Sequence, residues 1–198
     1  MNLPDSLAYT RLAHAVTVLS QPGLIRLVSE IDDNGPIPRR ALTRTLSGLS
    51  RNQIRHAVDT ARDHHMVRVG QRASDSCYLL TRTGRGLADV YDLAARWARN
   101  HNHPTEAASD FVTRIQQTLA LFADRQVFDA LSAPAPAEPH DTAQQLADVG
   151  LLPTTEAVRD LRRPWTALTQ WLTAHPHLRS AAARGSLSAV PAGVERAA

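Results

Sequence analysis

The run Arg51-Asn52-Gln53-Ile54-Arg55-His56 concentrates side chains that make hydrogen bonds in pairs. An arginine fork can bridge O6 and N7 of guanine, and an Asn or Gln amide can bridge N6 and N7 of adenine. If Ile54, Ala57, Val58 and Ala61 turn inward at helical spacing, Arg51, Asn52, Gln53, Arg55, His56 and Asp59 share the outward face. Ser50 offers the hydroxyl of an N-cap, so the run falls in the first turns of a helix. Those turns are the part of a reading helix that reaches base edges.

Charge supports the same chemistry. Residues 36–72 hold eight arginines (39, 40, 44, 51, 55, 62, 68 and 72) against two acids, Asp59 and Asp63. Residues 103–174 reverse the balance, with five arginines against nine acids. A DNA duplex carries a negative charge about every 1.7 Å of its axis, and phosphate contacts supply most non-specific affinity. Arg39, Arg40 and Arg44 would straddle phosphates one element before the reader. Arg68 and Arg72 belong to a following hairpin, with Arg72 at its tip, within reach of a minor groove or the backbone. All 22 basic residues are arginine, the mark of a GC-rich coding bias, and the net charge of +3 decides nothing by itself.

Other chemistries find little support. His64-His65 and His101-Asn102-His103 are too closely spaced for a tetrahedral metal site, and Cys77 is the only cysteine. No nucleophile elbow, phosphate-binding glycine loop or paired-carboxylate signature occurs, so neither an enzyme nor a cofactor is expected. Cys77 excludes an internal disulfide framework and fits a strand in a reducing cytoplasm. No apolar run approaches the roughly 18 residues of a membrane span. The start Met1-Asn2-Leu3-Pro4-Asp5 lacks the pattern of a signal peptide, so a cytoplasmic protein is expected.

The elements that must position the reader follow from periodicity. Leu12, Val16 and Leu19 mark one helix, stopped by Gln21-Pro22-Gly23; Leu24, Leu27, Val28 and Ile31 mark a second, ended by Asp32–Pro36. Ile37, Ala41, Leu42 and Leu46 suggest a third, and Ser47-Gly48-Leu49 a tight turn before the Ser50 helix, which runs to about His64. Met66–Val69 and Cys77–Thr81 read as two strands, with the polar 70–76 between them as a hairpin tip. A helix follows from Thr81 to about Asn100, carrying Leu87, Val90, Tyr91, Ala94, Trp97 and Ala98 on one face.

Helix, helix, helix, turn, helix, strand, hairpin, strand, helix is the order of a winged helix-turn-helix. Gly48-Leu49-Ser50, His65-Met66-Val67, Tyr78-Leu79-Leu80-Thr81-Arg82-Thr83-Gly84 and Leu93-Ala94-Ala95-Arg96-Trp97 follow one another at family spacing. In these the chain resembles the HxlR branch of the MarR-like winged helix regulators over roughly residues 8–101. The Tyr-x-Leu-Thr-x-x-Gly segment is the most specific of them. The family's basic-aromatic start is absent and the wing is short. The resemblance implies a dimeric repressor or activator on an inverted repeat of double-stranded DNA.

The expected fold class is therefore mainly α with a small two-stranded β-wing: a winged helix-turn-helix at 1–102 and a helical C-terminal domain at 103–178. A shift of about 103 residues aligns Leu12 with Ile115, Val16 with Leu119, Leu24 with Val127 and Leu49 with Leu152. The second half thus reads as a degenerate, wingless repeat in which Pro153-Thr154-Thr155-Glu156 stands where the reader's arginine was. Within it 105–132 reads as two helical pieces, 133–140 as a Pro/Ala-rich loop, and 142–149 and 154–174 as helices. The stretch 179–198 has little to bury and reads as a disordered tail. Phe111, Phe122, Phe128, Trp165 and Trp171, with Trp97 from the first half, either line a pocket for a flat aromatic effector or fill a small core.

Three functions compete on these grounds. The first is a sequence-specific DNA-binding regulator, homodimeric and ligand-responsive. The second is a winged-helix protein that binds or sequesters an aromatic metabolite. The third is an interaction module whose basic face meets an acidic partner.

Overall fold

A computed structural model describes residues 3–72, 75–105, 109–132, 152 and 154–180. The described chain is mainly helical with a small three-stranded antiparallel sheet. In chain order come α1 (Leu3–Leu19), α2 (Pro22–Asn34), β1 (Ile37–Pro38), a 3-10 turn (Arg39–Ala41), α3 (Leu42–Thr45) and α4 (Arg51–Asp63). Then follow β2 (Val67–Arg72), β3 (Asp75–Leu80), α5 (Arg82–Asn100), α6 (Phe111–Phe122), α7 (Arg125–Ser132), α8 (Thr155–Ala174) and α9 (His177–Ser180).

The helix starts are written in the chain. Pro22 opens α2, where its missing N–H would have had no partner. Ser50 caps α4 in a full capping box: its Oγ accepts from Gln53 N at 3.2 Å, and Gln53 Oε1 accepts from Ser50 N at 2.8 Å. Thr81 caps α5 by accepting from Gly84 N, and Thr154 caps α8 by accepting from Ala157 N. Gly48 turns the chain between α3 and α4 at φ +94°, a conformation costly for any residue with a Cβ.

Asp110 caps α6, its Oδ1 accepting from Thr113 N at 2.7 Å. That bond, with the Thr113 hydroxyl and the Arg26 guanidinium, holds its carboxyl below the usual carboxylate range. A depressed folded value means stability that is present above the unfolded value and lost as pH falls through the folded one. Asp110→Ala is therefore expected to cost about 1 kcal/mol at neutral pH in urea unfolding. The difference from the parent should begin to shrink as pH falls past the ordinary carboxylate value and close only below the depressed folded one; a penalty independent of pH would sink this account.

Two expectations about the hairpin need correction. The sheet has three strands, in the order β1-β3-β2, because Ile37 pairs with Tyr78 and Pro38 with Cys77. Ile37 precedes a proline, whose ring disfavours helical angles in its neighbour, so the third helix starts only at Leu42. The strands are also longer than expected. Gly70 pairs with Cys77, Gln71 with Ser76 and Arg72 with Asp75, so the segment read as a loose tip is mostly ladder. Backbone hydrogen bonding carries the ladder through residues whose polar side chains face water.

One buried cluster runs from Leu12 in α1 to Leu178 in α9 and passes residue 102 without a break. Helix α5 lies at its centre. Tyr91, fully buried, donates its hydroxyl to Leu19 O at 2.7 Å, and burial holds the phenol protonated. Trp97 Nε1 donates to Ala157 O at 2.9 Å, and Trp171 Nε1 donates to Thr83 O at 3.0 Å. Helices α5 and α8 thus pack antiparallel, each tryptophan near one helix's end bonded to the other helix's first turn.

The second half echoes the first in its boundaries. Leu19 ends α1 and Phe122 ends α6; Pro22 starts α2 and Arg125 starts α7; each pair is 103 residues apart. Where the first half has α4, the hairpin and α5, the described residues of the second half have α8, running through a buried Pro164, and the short α9. The loop expected at 133–140, the helix at 142–149 and the tail beyond residue 180 lie outside the described residues.

Candidate nucleic-acid interface

Helix α4 buries Ile54, Ala57, Val58, Thr60 and Ala61 and leaves Arg51, Asn52, Gln53, Arg55, His56 and Asp59 exposed. Its inner face meets α2 closely: a Cβ on Gly23 would stand 3.0 Å from the Ala57 Cβ and 3.2 Å from Gln53 O. The exposed face is thereby fixed to the core by its own helix.

The exposed groups differ in how free they are. The side-chain oxygens of Ser50 and Gln53 accept in the capping box and so hold the helix start. The Gln53 amide N–H groups and the Ser50 hydroxyl proton remain as donors. Asn52 Oδ1 accepts from Arg55 Nη2 at 2.8 Å, which aligns these two side chains as a unit. Among the described residues, Arg51, Arg55, Arg44, Arg68 and Arg72 enter no ion pair.

The flanking arginines come from two more elements. Arg39, Arg40 and Arg44 are exposed in the turn and short helix ahead of α4. Arg39 lies over the Tyr78 ring at 5.8 Å from its centroid, and Arg40 Nη2 pairs with Asp75 Oδ2 at 2.7 Å. Both bonds tie this turn to β3, and the second partly neutralises Arg40. Arg68 and Arg72 are exposed on β2. Arg72 sits in the last ladder pair, its guanidinium near Gly35 at the end of α2, and not in a free loop. All eleven residues anticipated for nucleic acid are exposed, although two of them are structural caps.

No family model, curated protein or solved structure matches this chain.

Of the six aromatic residues, Phe122, Phe128 and Trp165 come together, and Trp97, Phe111 and Trp171 lie apart from them. Phe128 and Trp165 line an apolar cavity of about 390 Å3 with Leu7, Leu12 and Leu172. Phe122 is buried edge-on to Trp165 at 5.4 Å between ring centroids. Trp97 and Trp171 are spent on the α5–α8 bonds, and Phe111 lies at the start of α6 beside α2 and α3. Cys77 is buried in β3. Arg11, at the same cavity, was not anticipated; its position one turn after Leu7 and next to Leu12 on α1 was visible, but the wall it completes was not.

The histidines also gather in an unforeseen way. His64, at the end of α4, stacks on His177 of α9 with centroids 6.1 Å apart, and His65 meets the same ring at 5.8 Å. Burial, and then the neighbouring His177, hold His64 below the ordinary imidazole value, so it is kept neutral.

Proposed function

We propose that this chain is a sequence-specific double-stranded DNA-binding transcriptional regulator, with a winged helix-turn-helix in which α4 is the reading helix. The observation that carries the reading is the two-faced α4: an apolar side fixed on α2, and Arg51, Asn52, Arg55 and His56 exposed in its first turns. Arg39 and Arg44 before it and Arg68 and Arg72 after it supply cations for phosphates on either side of such a helix. We further propose a homodimer on an inverted repeat, with readers about 34 Å apart, working in the cytoplasm. No helix among the described residues is long and apolar enough to cross a membrane. The matched helix boundaries support reading the second half as a copy that lost its hairpin. The cavity walled by Phe128 and Trp165 favours the second reading in part, since it would take an apolar aromatic effector.

The test is retardation of the duplex upstream of the protein's own gene against a scrambled duplex, over a range of salt. If about six arginines each neutralise a phosphate, the logarithm of affinity should fall with the logarithm of salt at a slope of roughly −5. The native duplex should also bind about a thousandfold more tightly than the scrambled one. Affinity indifferent to both salt and sequence would remove DNA as the partner.

A further inference from the structure

A second basic surface lies away from α4. Arg159, Arg162 and Arg163 stand on one side of α8 at i, i+3 and i+4 spacing, and Arg96 of α5 joins them across a cleft of about 670 Å3. The sum over the second half hides this cluster, because most of that half's acids lie elsewhere in the chain. Within the cleft there is one carboxylate, Asp160, whose Oδ2 lies 3.1 Å from His101 Nε2. Arg162 Nη2 donates to Ala130 O at 3.4 Å, which orients its fork and leaves its other donors open. Asp92 lies one turn before Arg96 on α5 and outside the cleft lining. Among the described residues none of the four arginines enters an ion pair.

We infer that the cleft between α5 and α8 binds a small phosphorylated ligand with at least two phosphate groups. Four guanidinium groups crowded on two facing helices repel one another, and multivalent anions relieve that repulsion. Their forks match phosphate oxygens in bidentate pairs, two arginines to each phosphate. Shape separates this site from the α4 surface. A recess between two packed helices admits a nucleotide-sized molecule, and its volume falls in the range of small-ligand sites. A duplex lies across a surface and does not descend between helix axes about 8 to 10 Å apart. The inference does not rest on the reading of α4.

The experiment is calorimetric titration of the full chain with inorganic pyrophosphate and with ADP at about 0.15 M salt. The parent is compared with Arg159→Gln/Arg163→Gln, its Lys counterpart Arg159→Lys/Arg163→Lys, and Arg51→Ala/Arg55→Ala. Arg159 and Arg163 are exposed, so the fold should survive both changes, and circular dichroism checks this. One-to-one saturable binding is expected in the parent and unchanged in the α4 variant. Affinity should fall about tenfold or more in the Gln variant and less in the Lys variant, which keeps charge but loses the fork. Absence of saturable binding by both anions, or equal binding in the Gln variant, overturns the inference. Duplex affinity lost in the Gln variant without any binding of the small anions also overturns it, and gives the cleft to the DNA backbone.

Discussion

Replacing Arg51 and Arg55 together by alanine is expected to abolish sequence-specific retardation while leaving the thermal transition where it was. Both side chains are exposed and neither supports the core, so folding should be indifferent. A bidentate arginine contact discriminates its base by about 1 to 3 kcal/mol, so the pair together should lose roughly 2 to 6 kcal/mol, at least about thirtyfold. The loss should be larger on the native duplex than on a scrambled one, because only the first loses base contacts as well as phosphate attraction. Asn52→Ala makes a finer distinction. Arg55 is held by the Asn52 carbonyl at 2.8 Å, and removing that acceptor should weaken specific binding although Asn52 carries no charge. If the double variant retained its preference for the native duplex, α4 would not be the reader.

Gly84→Ala is expected to be among the most damaging single changes in the chain. In an exposed helix this substitution would stabilise by about 1 kcal/mol through propensity alone. Here the sign reverses. A Cβ at Gly84 would run into the Met66 carbonyl oxygen and stand 2.9 Å from Leu80 Cδ2. That carbonyl already accepts from Thr81 N at 3.0 Å, and Thr81 Oγ1 donates to His65 O at 2.6 Å, so the junction of α4, the hairpin and α5 cannot yield at one point. Overpacking against backbone is expected to cost about 3 kcal/mol or more, which lowers the melting temperature by roughly 6 to 12 °C. A variant as stable as the parent would show that the first turn of α5 does not approach the Met66 carbonyl this closely.

This junction also explains what the sequence made legible and what it did not. The Thr81-x-x-Gly84 spacing was readable as a motif because capping is local: hydroxyl and amide lie three residues apart. The reason for the glycine was not readable, since its obstacle, Met66, lies 18 positions earlier in the chain. The same division holds elsewhere. Ser50 and the buried face of α4 follow from spacing alone, as do the ends of α2 and α5. Strand β1 was missed because Ile37 and Pro38 gain their pairing from Tyr78 and Cys77, some forty residues on, and only Pro38 hinted that a helix could not begin there. Arg40 looked like a free cation until Asp75 was brought beside it. The arginines of α8 were diluted, in a sum over the half, by acids that mostly lie outside that helix in the sequence. Of six aromatics counted as one set, only Phe122, Phe128 and Trp165 meet, since composition does not say which walls face each other.

The crossed tryptophans of α5 and α8 bear on how this chain can be dissected. A fragment stopped near residue 102 would strip Trp97 of its acceptor, leave the Thr83 carbonyl without its donor, and bare the side of α5 that α8 covers. Such a piece would be sticky, so failure of an excised N-terminal half to hold DNA would say nothing about α4. Point changes in the whole polypeptide are the sounder instrument, because they leave this mutual clasp intact.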